Sequence, residues 1–290
     1  MVLPSLQRRD FLQTLGLAIW GLKEAWGASG GPAVKISEIE TIALKDSDKY
    51  DLTLVRVRTD AGVDGLGQAE SPSLVIDSII KTAEGLENLL KGEDPLQVER
   101  LWQKMYSATG LWGRRGVTIA AIGAVETALW DIAGKLVNKP VCELIWRSFA
   151  ATREATVWFP GDTEQEIRER FGMAVQAGFQ AVKFEERPGG FGHVDSRTDA
   201  RLVRLIREII GPDRDLMLDV QNCWVEVGQA IATCRAIAPY NVYFVEAPLP
   251  PDNLEAYKRL AEATDIRIAA GDWGFTTRFD YIDLMEKGGI

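Results

Sequence analysis

The chain has a single histidine, His193, and only three cysteines, Cys142, Cys223 and Cys234, none of them in a CxxC pair. One imidazole excludes a multi-histidine metal site and weakens any Ser-His-Asp arrangement. Three thiols cannot all pair within one chain and show no metal-ligand spacing, so they read as free core thiols, Cys223 as a small buried hydrophobe. Positive charge is scarce as well: 33 Lys and Arg face 42 Asp and Glu, for a formal charge of −9 and a pI near 4.9. Nucleic acid and anionic membranes favour a basic face, so neither is expected as a partner. No glycine-rich turn follows the first βα strand, which argues against a dinucleotide site and a doubly wound sheet. What remains is ample apolar material, 46% of 290 residues, enough for a large core in one or two domains.

Residues 1–32 read as a separate object. Arg8-Arg9-Asp10-Phe11-Leu12 precedes the mostly apolar stretch Leu15 to Leu22, a pattern that resembles a twin-arginine export signal. That stretch is too short for a stable membrane span. Export is the expectation, with an unstructured start on a cytoplasmic protein as the alternative.

From Val34 to Glu70 the chain alternates apolar and polar residues in two runs, and Gly62, Gly65 and Gly67 mark a turn into a third short strand. Helical periodicity follows from Ser73, and the segment Ile119 to Leu136 is apolar over most of its circumference, as a buried helix requires. Residues 33–150 are therefore expected to form an α+β domain. Beyond Ala155 strands and helices alternate, with helices over Ser196 to Ile210, Glu226 to Ala238, Asn253 to Ala263 and Arg278 to Lys287. This grammar predicts βα units, a parallel sheet and right-handed crossovers over 151–290. Five units fit, whereas an eight-unit barrel needs about 250 residues. The expectation is a partial TIM-type β/α barrel, five of eight units.

Acids stand at the ends of the predicted strands. Asp219 follows Leu216-Met217-Leu218, Glu246 follows Val242-Tyr243-Phe244-Val245, and Asp272 follows Ile268-Ala269-Ala270-Gly271, at spacings of 27 and 26 residues. One strand plus one helix separates each pair, so the carboxylates fall at the same end of successive parallel strands, where a β/α barrel keeps its active site. Carboxylates gathered in this way suit a hard divalent cation such as Mg²⁺, which could hold a substrate carboxylate while a proton leaves the neighbouring carbon. A lysine at the preceding strand end could serve as base if desolvation and the cation lowered its pKa. The competing reading makes these acids helix N-caps or first-turn charges.

The same residues carry a family resemblance. Gly178-Phe179-Gln180-Ala181-Val182-Lys183, Leu218-Asp219-Val220-Gln221, Val245-Glu246-Ala247-Pro248-Leu249 and Ala269-Ala270-Gly271-Asp272 resemble the second to fifth barrel-strand motifs of the mandelate racemase/muconate lactonizing enzyme family of the enolase superfamily. Gly123 to Lys135 is similar to that family's capping-domain helix. The resemblance implies an Mg²⁺-dependent lyase or racemase acting on a small carboxylate, a sugar acid or hydroxy acid, and leans toward acid-sugar dehydratases. It implies Asp219, Glu246 and Asp272 as metal ligands and Lys183 as the first lysine of a Lys-x-Lys motif that orients or polarises the substrate carboxylate. Glu185 occupies the place of the second lysine, the usual base, and Asp272 stands where glutamate is usual. The Asp-His dyad that faces this base in the family resembles parts expected beyond Ile290. An inactive remnant or a pairing subunit is the alternative, a homo-oligomer is compatible with either, and His193 reads as a loop histidine.

Overall fold

The structure is a computed structural model that describes residues 33–45, 51–69, 73–145, 156–160, 163–185, 195–271 and 274–290. The twin-arginine-like segment, His193, the loop 186–194 and Asp272 lie outside the described residues. The chain divides into two compact units, Met1–Ala151 and Thr152–Ile290.

In the first unit β1 (Ile36–Lys45), β2 (Asp51–Thr59) and β3 (Gly65–Ala69) form an antiparallel meander in that order. Val55 and Val57 point into the core, while Arg56 and Arg58 on the other face pair with Glu40 at 3.2 and 2.7 Å. Four helices follow among the described residues: α1 (Ile76–Leu90), α2 (Val98–Thr109), α3 (Val117–Val137) and α4 (Val141–Ile145). The all-round apolar α3 is the core helix anticipated from its composition; by length and composition it could cross a membrane, but Ile122, Val125, Leu129 and Ile132 are buried within this unit. Asn138 ends it in the left-handed conformation at φ 52°, its N–H donating to the Gly134 and Lys135 carbonyls.

Two glycines let α3 lie directly on β3. A β-carbon on Gly65 would overlap the Ala128 carbonyl oxygen, and one on Gly67 the Ala124 carbonyl oxygen. Because backbone blocks both positions, Gly67→Ala is expected to destabilise the unit by about 2 kcal/mol, read as a lower urea midpoint with an unchanged slope.

In the second unit, strands β4 (Thr156–Pro160), β5 (Ala181–Glu185), β6 (Asp215–Asp219), β7 (Val242–Glu246) and β8 (Arg267–Ala269) are all parallel. They alternate with α5 (Glu164–Gln176), α6 (Ser196–Ile210), α7 (Val227–Ile237), α8 (Leu254–Ala263) and α9 (Arg278–Lys287). The strand order in space is the order in sequence, β4-β5-β6-β7-β8. A doubly wound sheet reverses its order at a switch point; this one does not, so its winding is that of a barrel. Val182, Phe184, Leu216, Leu218 and Val245 face the helices and pack with Phe171, Leu202, Ile206 and Leu260 in one core. Residues of opposite parity therefore turn to the other face of the sheet.

Helix starts are fixed by side chains. Thr163 and Thr277 form capping boxes with Glu166 and Asp280, the Asp195 side chain accepts from the Arg197 and Thr198 amides, and Asn253 accepts from Ala256. Neither Asp219 nor Glu246 caps a helix, which removes the structural reading for that pair. Cys223 and Cys234 are buried as expected, but Cys142 is exposed. On the short α4, Leu144 faces inward and Cys142 lies on the opposite side.

Candidate metal centre

The register of the second sheet sets Glu185, Asp219 and Glu246 side by side across three strands, Glu185 opposite Asp219 and Asp219 opposite Glu246. Each closes its strand, and the residue before each, Phe184, Leu218 or Val245, is buried against the helices. The parity that sends those three apolar side chains to the core sends the three carboxylates to the other face, at the C-terminal ends of the strands.

Lys183, two residues before Glu185 on the same face, reaches across this row. Its Nζ lies 2.7 Å from Glu246 Oε2 and 3.2 Å from Asp219 Oδ2. Burial favours the neutral amine, but the Glu246 hydrogen bond and the Asp219 and Glu246 charges outweigh it and raise the Lys183 pKa. Two carboxylates in reach of one ammonium decide the sign.

Asp219 is not fully compensated in return. Burial raises the Asp219 pKa and the Glu246 charge raises it further; Lys183 and the Gln221 N–H, which donates to Asp219 Oδ1 at 3.2 Å, only partly offset this. The cluster of Lys183, Asp219 and Glu246 thus keeps an excess negative charge in a place that already holds a cationic group. Such a donor set fits a divalent ion. Among the described residues no group of three His, Cys, Asp or Glu side chains completes a metal site. The expected third ligand, Asp272, is outside them, although its neighbour Gly271 is tied down by Tyr281, whose hydroxyl donates to the Gly271 carbonyl at 2.9 Å.

The loops that follow Asp219 and Glu246 are stapled together. Val220 N–H donates to the Glu246 carbonyl at 3.0 Å, Asn222 N–H to Ala247 at 2.6 Å, and Trp224 N–H to Pro248 at 3.1 Å. Gln221, Asn222 and Ala247 all adopt positive φ, 49°, 61° and 45°. For Ala247, a residue with a β-carbon directly after Glu246, this conformation costs about 1 kcal/mol. Its neighbours hold it there: Ala247 N–H donates to the Ala269 carbonyl at 2.8 Å while its own carbonyl receives Asn222. Sequence reasoning had no signal for this strain.

Comparison with known proteins adds to this geometry. Residues 33–146 match the mandelate racemase/muconate lactonizing enzyme N-terminal domain, and residues 166–290 match the enolase C-terminal domain-like family. The chain belongs to the mandelate racemase/muconate lactonizing enzyme family. It is 33% identical over 268 residues to a D-galactonate dehydratase from Cronobacter sakazakii, covering 89% of this chain and 66% of that protein. It is 29% identical over 267 residues to an arabinonate dehydratase from Saccharolobus solfataricus, covering 87% and 67%. The chain thus spans about two thirds of the length of these curated relatives. A solved racemase from Streptomyces coelicolor with bound magnesium superposes with a TM-score of 0.77 at 26% identity, covering 88% of this chain and 74% of that one. In the family's terms the first unit is the capping domain and the second has the TIM-type barrel fold.

Proposed function

We propose that this chain belongs to an enzyme for Mg²⁺-dependent abstraction of a proton α to a carboxylate, an acid-sugar dehydratase. The observation that carries the reading is the Lys183 ammonium seated between the register-paired carboxylates of Asp219 and Glu246. Relatives named as dehydratases of sugar acids and a magnesium-bearing racemase support the reaction class. Asp219, Glu246 and Asp272 would hold the ion. A bound Mg²⁺ would stabilise the negative charge that builds on the substrate carboxylate as its α-proton leaves.

Lys183 stays protonated and binds the substrate carboxylate as a point charge, which orients the α-carbon toward the same face of β5. Glu185 lies on that face at the strand end and is 3% exposed. It takes the α-proton as the electron pair of the C–H bond moves toward the carboxylate; that pair then forms the Cα–Cβ double bond as the β-hydroxyl leaves as water with the proton handed back by Glu185, and the enol tautomerises to the α-keto acid.

The test is turnover on a panel of aldonic and aldaric acids with Mg²⁺, followed by appearance of the α-keto acid, with a chelated control. Turnover that the chelator abolishes and that Glu185→Gln lowers at least about a hundredfold is expected. No turnover on any member, with no binding of Mg²⁺, contradicts the proposal. Mg²⁺ binding without turnover supports the alternative of a chain that holds the metal without completing the reaction.

A further inference from the structure

Behind the loop that follows Asp219, three polar side chains are wholly buried: Asp199 in the first turn of α6, Trp224 in the loop and Thr233 in α7. Neither carboxylate oxygen of Asp199, nor Trp224 Nε1, nor Thr233 Oγ1 has a hydrogen-bond partner. Yet Asp199 is within electrostatic reach of both other groups. Burial and, after it, the Asp195 charge push its carboxyl up to about 7, while the Thr233 hydroxyl and the Trp224 indole pull it down. Buried polar groups in native proteins find partners, and the chemistry here is complementary: two donors, Trp224 and Thr233, face one acceptor group.

Trp224 is where this cluster meets the metal centre. Its backbone N–H donates to the Pro248 carbonyl, the last of the three staples joining the loop after Asp219 to the residues beside Glu246. Its indole, 0% exposed, is the loop's anchor in the core. The ring's seat therefore anchors a loop that is hydrogen-bonded to Glu246, Ala247 and Pro248.

We propose that Asp199 is a positioning residue: with Thr233 it clamps the Trp224 indole N–H and so fixes the loop that holds Asp219 against Glu246. The inference rests on the reading of that pair as the metal site. It assigns a role to a carboxylate on a helix that contributes nothing to the site directly. Orienting groups outside the ligand shell commonly govern metal affinity by 10- to 100-fold, roughly.

The test uses the full chain and two readouts, Mg²⁺ affinity by calorimetry and hydrogen exchange of the Val220 and Asn222 amides in metal-free protein. Trp224→Phe, which keeps the ring and removes the N–H, is expected to weaken Mg²⁺ binding about tenfold and to speed exchange at both amides about tenfold. Asp199→Leu should do the same, and the double variant should be no worse than either single one, because both remove one interaction. Asp199→Asn keeps an acceptor oxygen and should retain affinity and slow exchange. Folded Trp224→Phe and Asp199→Leu variants with wild-type affinity and wild-type loop exchange would overturn the proposal. If the wild-type chain binds no Mg²⁺, the metal reading fails separately, and unchanged or accelerated loop exchange still decides the clamp.

Discussion

Asp219→Asn is expected to stabilise the metal-free protein and, at the same time, to weaken Mg²⁺ binding by roughly a hundredfold or more. The two effects share one cause. Burial first, and the Glu246 charge after it, raise the Asp219 pKa, and Lys183 does not fully compensate. An acid whose pKa is raised in the folded state holds its proton more tightly there than in the unfolded chain. That advantage is fully present below the ordinary carboxylate value and is lost as pH rises through the raised one. At neutral pH the folded protein therefore carries the Asp219 carboxylate at a cost, which a neutral amide removes. Thermal unfolding of wild type and variant without metal checks the sign: the variant should melt higher at pH 7, and the gap should close as pH falls below the ordinary carboxylate value. A site that trades stability for a cation behaves in this way. A variant that melts lower at pH 7 would mean that the Lys183 pair, not desolvation, dominates at Asp219.

Lys183→Met should have the opposite stability effect and a larger one. The ammonium pKa is raised because the Glu246 hydrogen bond and both charges outweigh burial, so its stabilising contribution is complete at pH 7 and is lost only as pH rises through the raised value. Removing it leaves two carboxylates on adjacent strand ends with no cation between them, at a cost of about 2–3 kcal/mol given that the side chain is 23% exposed. Magnesium should restore most of this, since ligand at about a hundred times its Kd adds about 2.7 kcal/mol. The variant should also bind Mg²⁺ about tenfold more tightly than wild type, because the ion no longer enters beside a fixed positive charge. Urea denaturation with and without Mg²⁺ measures both effects. Turnover should fall sharply nonetheless, as the ammonium proposed to orient the substrate carboxylate is gone. Equal stability of wild type and variant without metal would contradict the picture of Lys183 as the group that holds the site together.

Much of the second unit was legible because strand parity and strand ends are local properties. Val182 and Phe184 alternate with Lys183 and Glu185, and the helices Ser196–Ile210 and Arg278–Lys287 have the bounds expected from sequence. The placing of Asp219 and Glu246 at neighbouring strand ends followed from spacing alone. The sign of the Lys183 shift did not. It depends on the register between β6 and β7, which shifts at Leu216 and Met217 and brings Asp219 opposite Glu246. The burial of Asp199 has a trace in the sequence: it lies on the helical stripe of Leu202, Val203, Ile206 and Ile210, a charge in an apolar series. Cys142 was misplaced because α4 is too short, five residues, for periodicity to assign its faces. The strain at Ala247 arises from hydrogen bonds with Ala269 and Asn222, partners distant in sequence.

Titration of Mg²⁺ into metal-stripped chain by isothermal calorimetry, with Glu246→Gln beside wild type, tests most directly whether the strand-end carboxylates form a cation site. A single site per chain in wild type, lost or weakened at least about a hundredfold in the folded variant, is the predicted result. Equal Mg²⁺ binding by both proteins, or none by wild type at any attainable concentration, would contradict it.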